Sequence, residues 1–509
     1  MTKAAKATRQ KAIPQKESVS EDRSTPVAAE SKAAKPEGKA KPGDRRRRTR
    51  KREAIENRPV LEPNAAGIDI GAREVYVAVP PERDEQPVRI FETFTADLQE
   101  LANWLKACGI TTVAMESTGV YWIPVYEILE AHGIRACVVN ARHMKNVPGR
   151  RTDWHECQWI QFLHAVGLLR PAFRPEAEVC ALRAVIRHRG ELVQMAAKHV
   201  QHMHKALTQM NLQIQHVITD LTGLTGLAIV DAILKGERDP SRLAQLRDPR
   251  VKASPEIIEK SLVGHWQPEH LFTLQQSRRL YAGYQREIGE CDAEIERLAG
   301  TFQPRVDPER KPLPPDQKKR NRNYAKSRKR RARPHSSARE FDLRTEVYKL
   351  YGVDVTQIPG LEFLALQLFS EVGRDMSRWP SAACFISWLA LCPDNDISGG
   401  RVLWRGKRRV HNRAGQLFRM AAYALDRSAT PMGAYLRRMK AKLGPQPAHT
   451  ATAHKIALVF YTMIKNQTEY DETIWEQRDA QRRQKHITAL KRQAQRLGYK
   501  LTPIEEQAA

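Results

Sequence analysis

Between Ala65 and Asn140 the spacing of apolar residues switches between a period of two and a helical period, and that switching restricts this stretch to a layered α/β design. AAGIDIGAREVYVAVPP, Ala65 to Pro81, alternates apolar residues on both sides of a glycine and reads as a hairpin. PVRIFETF supplies a third strand. ADLQELANWLKACG has helical spacing, TTVAMES is a short buried strand ending at Glu116, VYWIPVYEILEAHG is helical, and IRACVVN is the next strand. A helix follows from about Asp153. The expected order is β-β-β-α-β-α-β and a helix, a strand layer with helices packed on it.

That order matches the ribonuclease-H-like arrangement, and the carboxylates fall where such a layout would gather them. Asp69 lies on the first strand in GIDIG, Glu116 ends a later strand in VAMEST, and Asp153 and Glu156 in RTDWHECQWIQFL lie three residues apart on one helical face. Hard divalent cations take oxygen ligands, and two Mg²⁺ about 3.5 to 4 Å apart stabilise both the attacking and the leaving oxygen of a phosphodiester displacement. Asp69 and Glu116 sit in apolar strands, where a charge needs a metal or a partner. Taken singly, an Asp before Gly is commonly a turn former and an Asp opening a helix commonly a cap.

The rest of the chain is helical or basic. Met1 to about Arg58 is Ala, Lys, Pro, Ser and Glu with almost no aromatics, ends in DRRRRTRKRE, and reads as a disordered basic arm. From about Pro175 to Gly300 two long amphipathic segments predict a coiled-coil linker or two helices folded back on each other. A Pro- and Arg-rich stretch from about Gln303 to Ser337 marks a boundary. Beyond it, IPGLEFLALQLFSEVG predicts a helix led in by Pro-Gly, and WEQRDAQRRQKHITALKRQAQRLG a charged helix. The reading divides the chain into a disordered basic arm 1–60, an α/β domain 61–172, a helical or coiled-coil linker 173–302, a disordered basic insert 303–338, a mostly helical C-terminal domain 339–475 and a charged helical tail 476–509.

A formal net charge of +27 on 509 residues implies a polyanionic partner, nucleic acid first. Seven scattered cysteines with no CxxC pair argue for a reducing compartment and against structural zinc. No signal peptide and no apolar run of about 18 residues is present, so a soluble intracellular protein is expected.

One further segment carries chemistry. In DISGGRVLWRGKRRVHNRAG, Ser398 precedes Gly399 and Gly400, where the backbone can approach a ligand closely, and Arg401, Arg405, Lys407, Arg408, Arg409 and Arg413 follow. Guanidinium groups grip phosphate bidentately, so the run can hold a scissile backbone beside the hydroxyl, and serine attack on phosphorus conserves the bond energy for rejoining. No GxSxG elbow surrounds Ser398, which disfavours acyl transfer. A serine in such a turn is more often a plain loop residue.

Together these segments resemble the insertion-sequence 110 family of DEDD-type transposases, in the insertion-sequence 1111 subgroup, from about Ala65 to Asp471. The marks are GIDIG, MESTGVYWIPVYEIL, VNARHMKNVPGRRTDWHECQWIQFLHAVGLLRPAFRP, LTGLTGLAIVDAILKGERDP, the IPG helix, the SGGR turn and ATAHKIA. The resemblance implies a RuvC-like domain using Asp69, Glu116, Asp153 and a fourth acid, a coiled-coil linker, and a C-terminal transposase domain whose serine is Ser398. It implies Mg²⁺, two ions per site, excision and insertion of an element through a phosphoserine link, and pairing of target and donor DNA to a structured bridge RNA. It also implies a dimer or tetramer in a bacterial cytoplasm, associated with the nucleoid. The family's fourth acid is commonly Asp where this chain has Glu156, and neither the basic arm nor the insert is a core family feature. The alternatives are a metal-only RuvC-like junction resolvase and a non-catalytic basic nucleic-acid-binding protein.

Overall fold

The computed structural model describes residues 58–116, 119–139, 153–316, 342–406 and 412–500. Most of the expected basic arm and the insert from 317 to 338 lie outside them, as do the last residues of the charged tail. The chain divides into two compact units, residues 1–173 and 174–509.

The first unit is built on a five-stranded sheet of order β3-β2-β1-β4-β5. Strands β1 (Ala65–Ile70), β2 (Glu74–Ala78) and β3 (Val88–Glu92) form an antiparallel meander, while β4 (Thr112–Glu116) and β5 (Arg135–Val139) run parallel to β1. The parallel pairs are joined through helices α1 (Thr95–Ala107) and α2 (Trp122–Ala131), and α3 (Asp153–Ala165) follows. Element order agrees with the sequence reading throughout.

Alternation along the strands sorts the side chains onto two faces. Ile68, Val75, Val77, Val113 and Met115 form one core with Leu98, Leu101, Leu105, Val125 and Leu129 of α1 and α2. The opposite face is covered by α3: Cys157 packs with Ala78 and Val88, and Ile160 with Ala114 and Val139. The helix approaches β1 so closely that a Cβ on Gly67 would stand 2.2 Å from the Gln161 amide nitrogen and 2.3 Å from the Cys157 oxygen. Glycine is required there for space, not for its dihedral freedom.

In the second unit, α4 (Ala177–Gln209) and α8 (Pro268–Thr301) are 33 and 34 residues long. Arg189 pairs with Asp292 and His199 stacks on Tyr284 with ring centroids 5.4 Å apart, so as one index rises the other falls: the helices are antiparallel. Leu192, Ala196 and Ile288 are buried in their seam. Of the two sequence alternatives, folding back within one chain is what the structure shows. Between them, α5 (Leu224–Leu234), α6 (Pro240–Gln245) and α7 (Pro255–Ser261) close a second core around Met203, Leu207, Ile229 and Leu274.

The C-terminal bundle comprises α9 (Leu343–Tyr351), α10 (Ala365–Val372), α11 (Ala382–Trp388), the hairpin β6 (Asp394–Ser398) and β7 (Arg401–Gly406), then α12 (Arg413–Ala424), α13 (Pro431–Leu443), α14 (Pro445–Asn466) and α15 (Thr473–Arg496). Edge-to-face rings fill its centre, Tyr351 and Phe418 each about 5.5 Å from Phe460. The sequence separated this bundle from the long helices, but one compact unit holds both. Arg183 donates to the Ser370 carbonyl, Arg187 makes a bidentate pair with Glu371, and Phe302 packs edge-on to Phe369.

Two local expectations are corrected. The helix after Pro359-Gly360 begins at Ala365, because Leu361 and Leu364 first close turns onto the Ile358 and Leu361 carbonyls. The start of the insert, residues 303–316, lacks helix or strand yet is held to α9 and its surroundings: Arg305 donates its amide to Lys349, Tyr348 its hydroxyl to Lys311, and Arg344 a guanidinium nitrogen to Pro314.

Candidate active site

Two groups of predicted site residues occur, one in each unit. In the first, β1 and β4 are parallel and in register, with Ile68 opposite Met115. Asp69 and Glu116 are each the next residue on, so two carboxylates stand side by side at the carboxyl ends of adjacent strands. Gly67 and Ala114, two residues earlier, face α3, and alternation puts Asp69 and Glu116 on that same face.

Helix α3 brings the other acids to the same end. Its Gln161 donates to the Ala65 carbonyl at 3.2 Å, and its Ala165 carbonyl accepts from the Leu61 and Glu62 amides. The helix therefore runs opposite to β1, and its first turn lies at the carboxyl end of the strand. That turn contains Asp153, whose side chain lies outside the described residues, and Glu156. A helix N-terminus carries partial positive charge, which favours carboxylates beside it.

Burial makes this acid group costly unless something balances it. Glu116 is 5% and Glu156 3% exposed, while Asp69 is half-buried. The Glu116 Oε2 atom is buried with no hydrogen-bond partner among the described residues. Burial pushes the Cys157 thiol up to about 12, and the nearby Asp69 and Glu156 carboxylates add to the effect. Among the described residues no group of three or more His, Cys, Asp or Glu has the arrangement of a metal centre. Carboxylate oxygens are the donor type that hard divalent cations take.

In the second unit, Ser398 is the last residue of β6 and pairs with Arg401 across the turn. Gly399 and Gly400 have φ of 56° and 76°, the two left-handed positions of a tight hairpin turn, and a Cβ on either would meet no atom within 4 Å. Glycine is used here for its backbone freedom, and the tip it forms stands clear. Ser398 and Arg401 are exposed, as are Val402, Leu403 and Trp404 on β7. The register shifts between Asp396 and Ile397, an irregularity that re-aims the end of the strand. The sequence suggested a turn alone; the structure gives a two-stranded ribbon presenting the serine.

The basic run is only partly described. Arg413 is exposed on the first turn of α12, whose N-cap Asn412 accepts from the Gly415 amide at 2.9 Å and donates to the Trp388 carbonyl at 3.0 Å. The side chain of Arg405, and Lys407, Arg408 and Arg409 altogether, lie outside the described residues. The sequence reading missed the spacing role of Gly67 and the position of Cys157 beside the acids. The available signal was a side-chain-free residue two positions before Asp69 on the same face.

The first unit is a mixed α/β domain with acids at the carboxyl end of its central strands and a helix closing that face, consistent with a ribonuclease-H-like transposase. Residues 66–212 match a family model of transposases, the DEDD type of IS110, and residues 354–437 match the transposase IS116/IS110/IS902 family. The first segment contains all four acids and the second contains Ser398. The two matches support a transposase of the IS110 family, an enzyme that cleaves and rejoins DNA. The DEDD type of the first suggests dependence on a divalent metal. No curated protein matches the chain. None of the described helices is long and apolar enough to cross a membrane.

Proposed function

We propose that this protein excises and inserts its own insertion sequence, using Ser398 as nucleophile together with an acidic metal site. What supports the reading is that Asp69 and Glu116 stand at the carboxyl ends of adjacent strands, with Glu156 on the helix turn at that same end, Glu116 and Glu156 being buried. Asp69, Glu116, Asp153 and Glu156 would hold Mg²⁺, which when bound lowers the cost of charge developing on a phosphodiester.

The remaining chemistry belongs to the chain. As the Ser398 Oγ bonds to phosphorus, the bond from phosphorus to the departing strand oxygen breaks, and the hydroxyl proton passes, directly or through water, to that oxygen, which leaves as a strand-end hydroxyl. The phosphoserine ester then keeps the energy needed for that oxygen, or another strand's, to restore a phosphodiester. Arg401, Arg405, Lys407, Arg408, Arg409 and Arg413 hold the backbone and take up its charge. A structured bridge RNA supplies sequence recognition by pairing with target and donor DNA, in a dimeric or tetrameric assembly; this follows from the family resemblance, and the excess of basic residues supports the nucleic-acid partners.

Supplied with element-end DNA and Mg²⁺, the purified protein–RNA complex should yield a nucleotide adduct on Ser398 by mass spectrometry. Ser398→Ala should abolish strand transfer and leave RNA binding nearly intact. Cleavage without an adduct would instead identify a metal-only resolvase. Equal loss of binding and strand transfer in Ser398→Ala would reject the nucleophile assignment.

A further inference from the structure

The last helix, α15, lies outside both segments matched by family models and takes no part in the chemistry above. It contacts α13, where the Arg482 guanidinium acts on the Tyr435 hydroxyl. Beyond that point its residues are exposed, apart from the half-buried Ile487 and Ala494. From Ala480 to Lys500 the sequence has seven Lys and Arg and no Asp or Glu, so the segment has no carboxylate of its own to pair with them.

The charges are also ordered. At about 100° per residue, Lys485, Arg492 and Arg496 fall within an arc of about 40° and extend over about 17 Å of helix axis. Gln481 and Thr488 border that stripe with further hydrogen-bonding groups. We propose that this face of α15 docks on the phosphate backbone of duplex DNA, as an accessory arm that holds the substrate away from the reacting bond. The inference rests on the reading of the chain as a DNA-handling enzyme.

Charge complementarity selects a polyanion, and three further features select duplex DNA among polyanions. Phosphates of one B-form strand advance about 3.4 Å per base pair, so the stripe can follow several of them. A helix lying along those phosphates can settle into the mouth of the B-form major groove, whereas that of A-form RNA is too deep and narrow. A membrane surface is a poorer fit, because the opposite side of α15 offers only Ile487, Leu490, Ala494 and Leu497, with no aromatic residue between Trp475 and Tyr499. The same four residues span too few heptads to hold a second helix by themselves.

The test uses the full chain with Lys485→Glu, Arg492→Glu and Arg496→Glu combined, and circular dichroism to verify helix content. Binding of a fluorescent DNA duplex is followed by anisotropy across a salt series. The variant should bind at least about tenfold more weakly near 0.15 M salt, and its slope of log K against log salt should be shallower by about 2 to 3. An RNA duplex of the same length and vesicles of anionic phospholipid are titrated in parallel. Unchanged DNA affinity and slope, or a loss confined to RNA or to vesicles, would overturn the proposal. If the reversals reduce helix content, the corresponding Gln variants replace them and should give the same reduced slope. Wild-type protein that fails to bind duplex DNA would reject the underlying functional reading as well; intact binding and strand transfer in the variant would reject only the role of α15.

Discussion

At the scale of single residues, Glu116 is where the proposed function and the stability of the fold pull apart. It ends a fully buried strand, and its Oε2 has no hydrogen-bond partner among the described residues. A buried carboxylate in that state costs free energy that a cation would offset. Glu116→Gln keeps the shape and removes the charge, so without divalent ions it should be at least as stable as wild type, by roughly 0 to 2 kcal/mol. Adding Mg²⁺ should raise the melting temperature of wild type and leave that of the variant nearly unchanged. DNA cleavage should be lost at the same time. A variant that is less stable than wild type and still responds to Mg²⁺ would show Glu116 to be structural. The positions of Asp69 and Glu116 were legible because each charged residue interrupts an apolar strand. Gly67 was not, because sequence cannot reveal which helix crosses over a glycine.

At the scale of elements, legibility followed burial. The strands of the sheet face a core, so the sequence displays them either as alternation or, where both faces are covered as on β4, as a short apolar run. On β7, Val402, Leu403 and Trp404 are all exposed, and no amphipathic pattern separates such a ribbon from a loop. The start of α10 was misplaced for a related reason, since a Pro-Gly pair announces a turn without saying how many turns follow. The joint between α4 and α10 was also invisible, because it depends on charges nearly 190 positions apart. Glu371 there is 11% exposed and answers both Arg183 and Arg187. Glu371→Ala would leave the Arg183 guanidinium, 15% exposed, without its carboxylate. Destabilisation of roughly 2 to 4 kcal/mol is expected, measured by denaturant unfolding of the second unit. Glu371→Gln should recover part of it; a change below about 0.5 kcal/mol in Glu371→Ala would mean the pair only decorates the joint.

At the scale of the whole molecule, two units with separate cores imply two unfolding events. Calorimetry should resolve two transitions, and Mg²⁺ should shift only the one belonging to residues 1–173, which carry the acids. A single transition with equal calorimetric and van't Hoff enthalpies would contradict that division. Composition indicated several units and a polyanionic partner, but it placed a boundary at the basic insert. The structure instead joins the long helices to the C-terminal bundle, through side chains that meet only in three dimensions.

The two groups of predicted site residues also differ in stiffness. The acids stand on adjacent strands of a five-stranded sheet clamped by a helix at Gly67, whereas Ser398 stands at the tip of a ribbon of two short strands, a form that holds little shape unless something rests against it. In the mechanism proposed above, the acids would thus be held in place by the fold, whereas Ser398 would depend on bound nucleic acid to steady it. On that proposal, a serine carried this way would have its reactivity rationed by the substrate, tying cutting to correct engagement and sparing DNA stray damage.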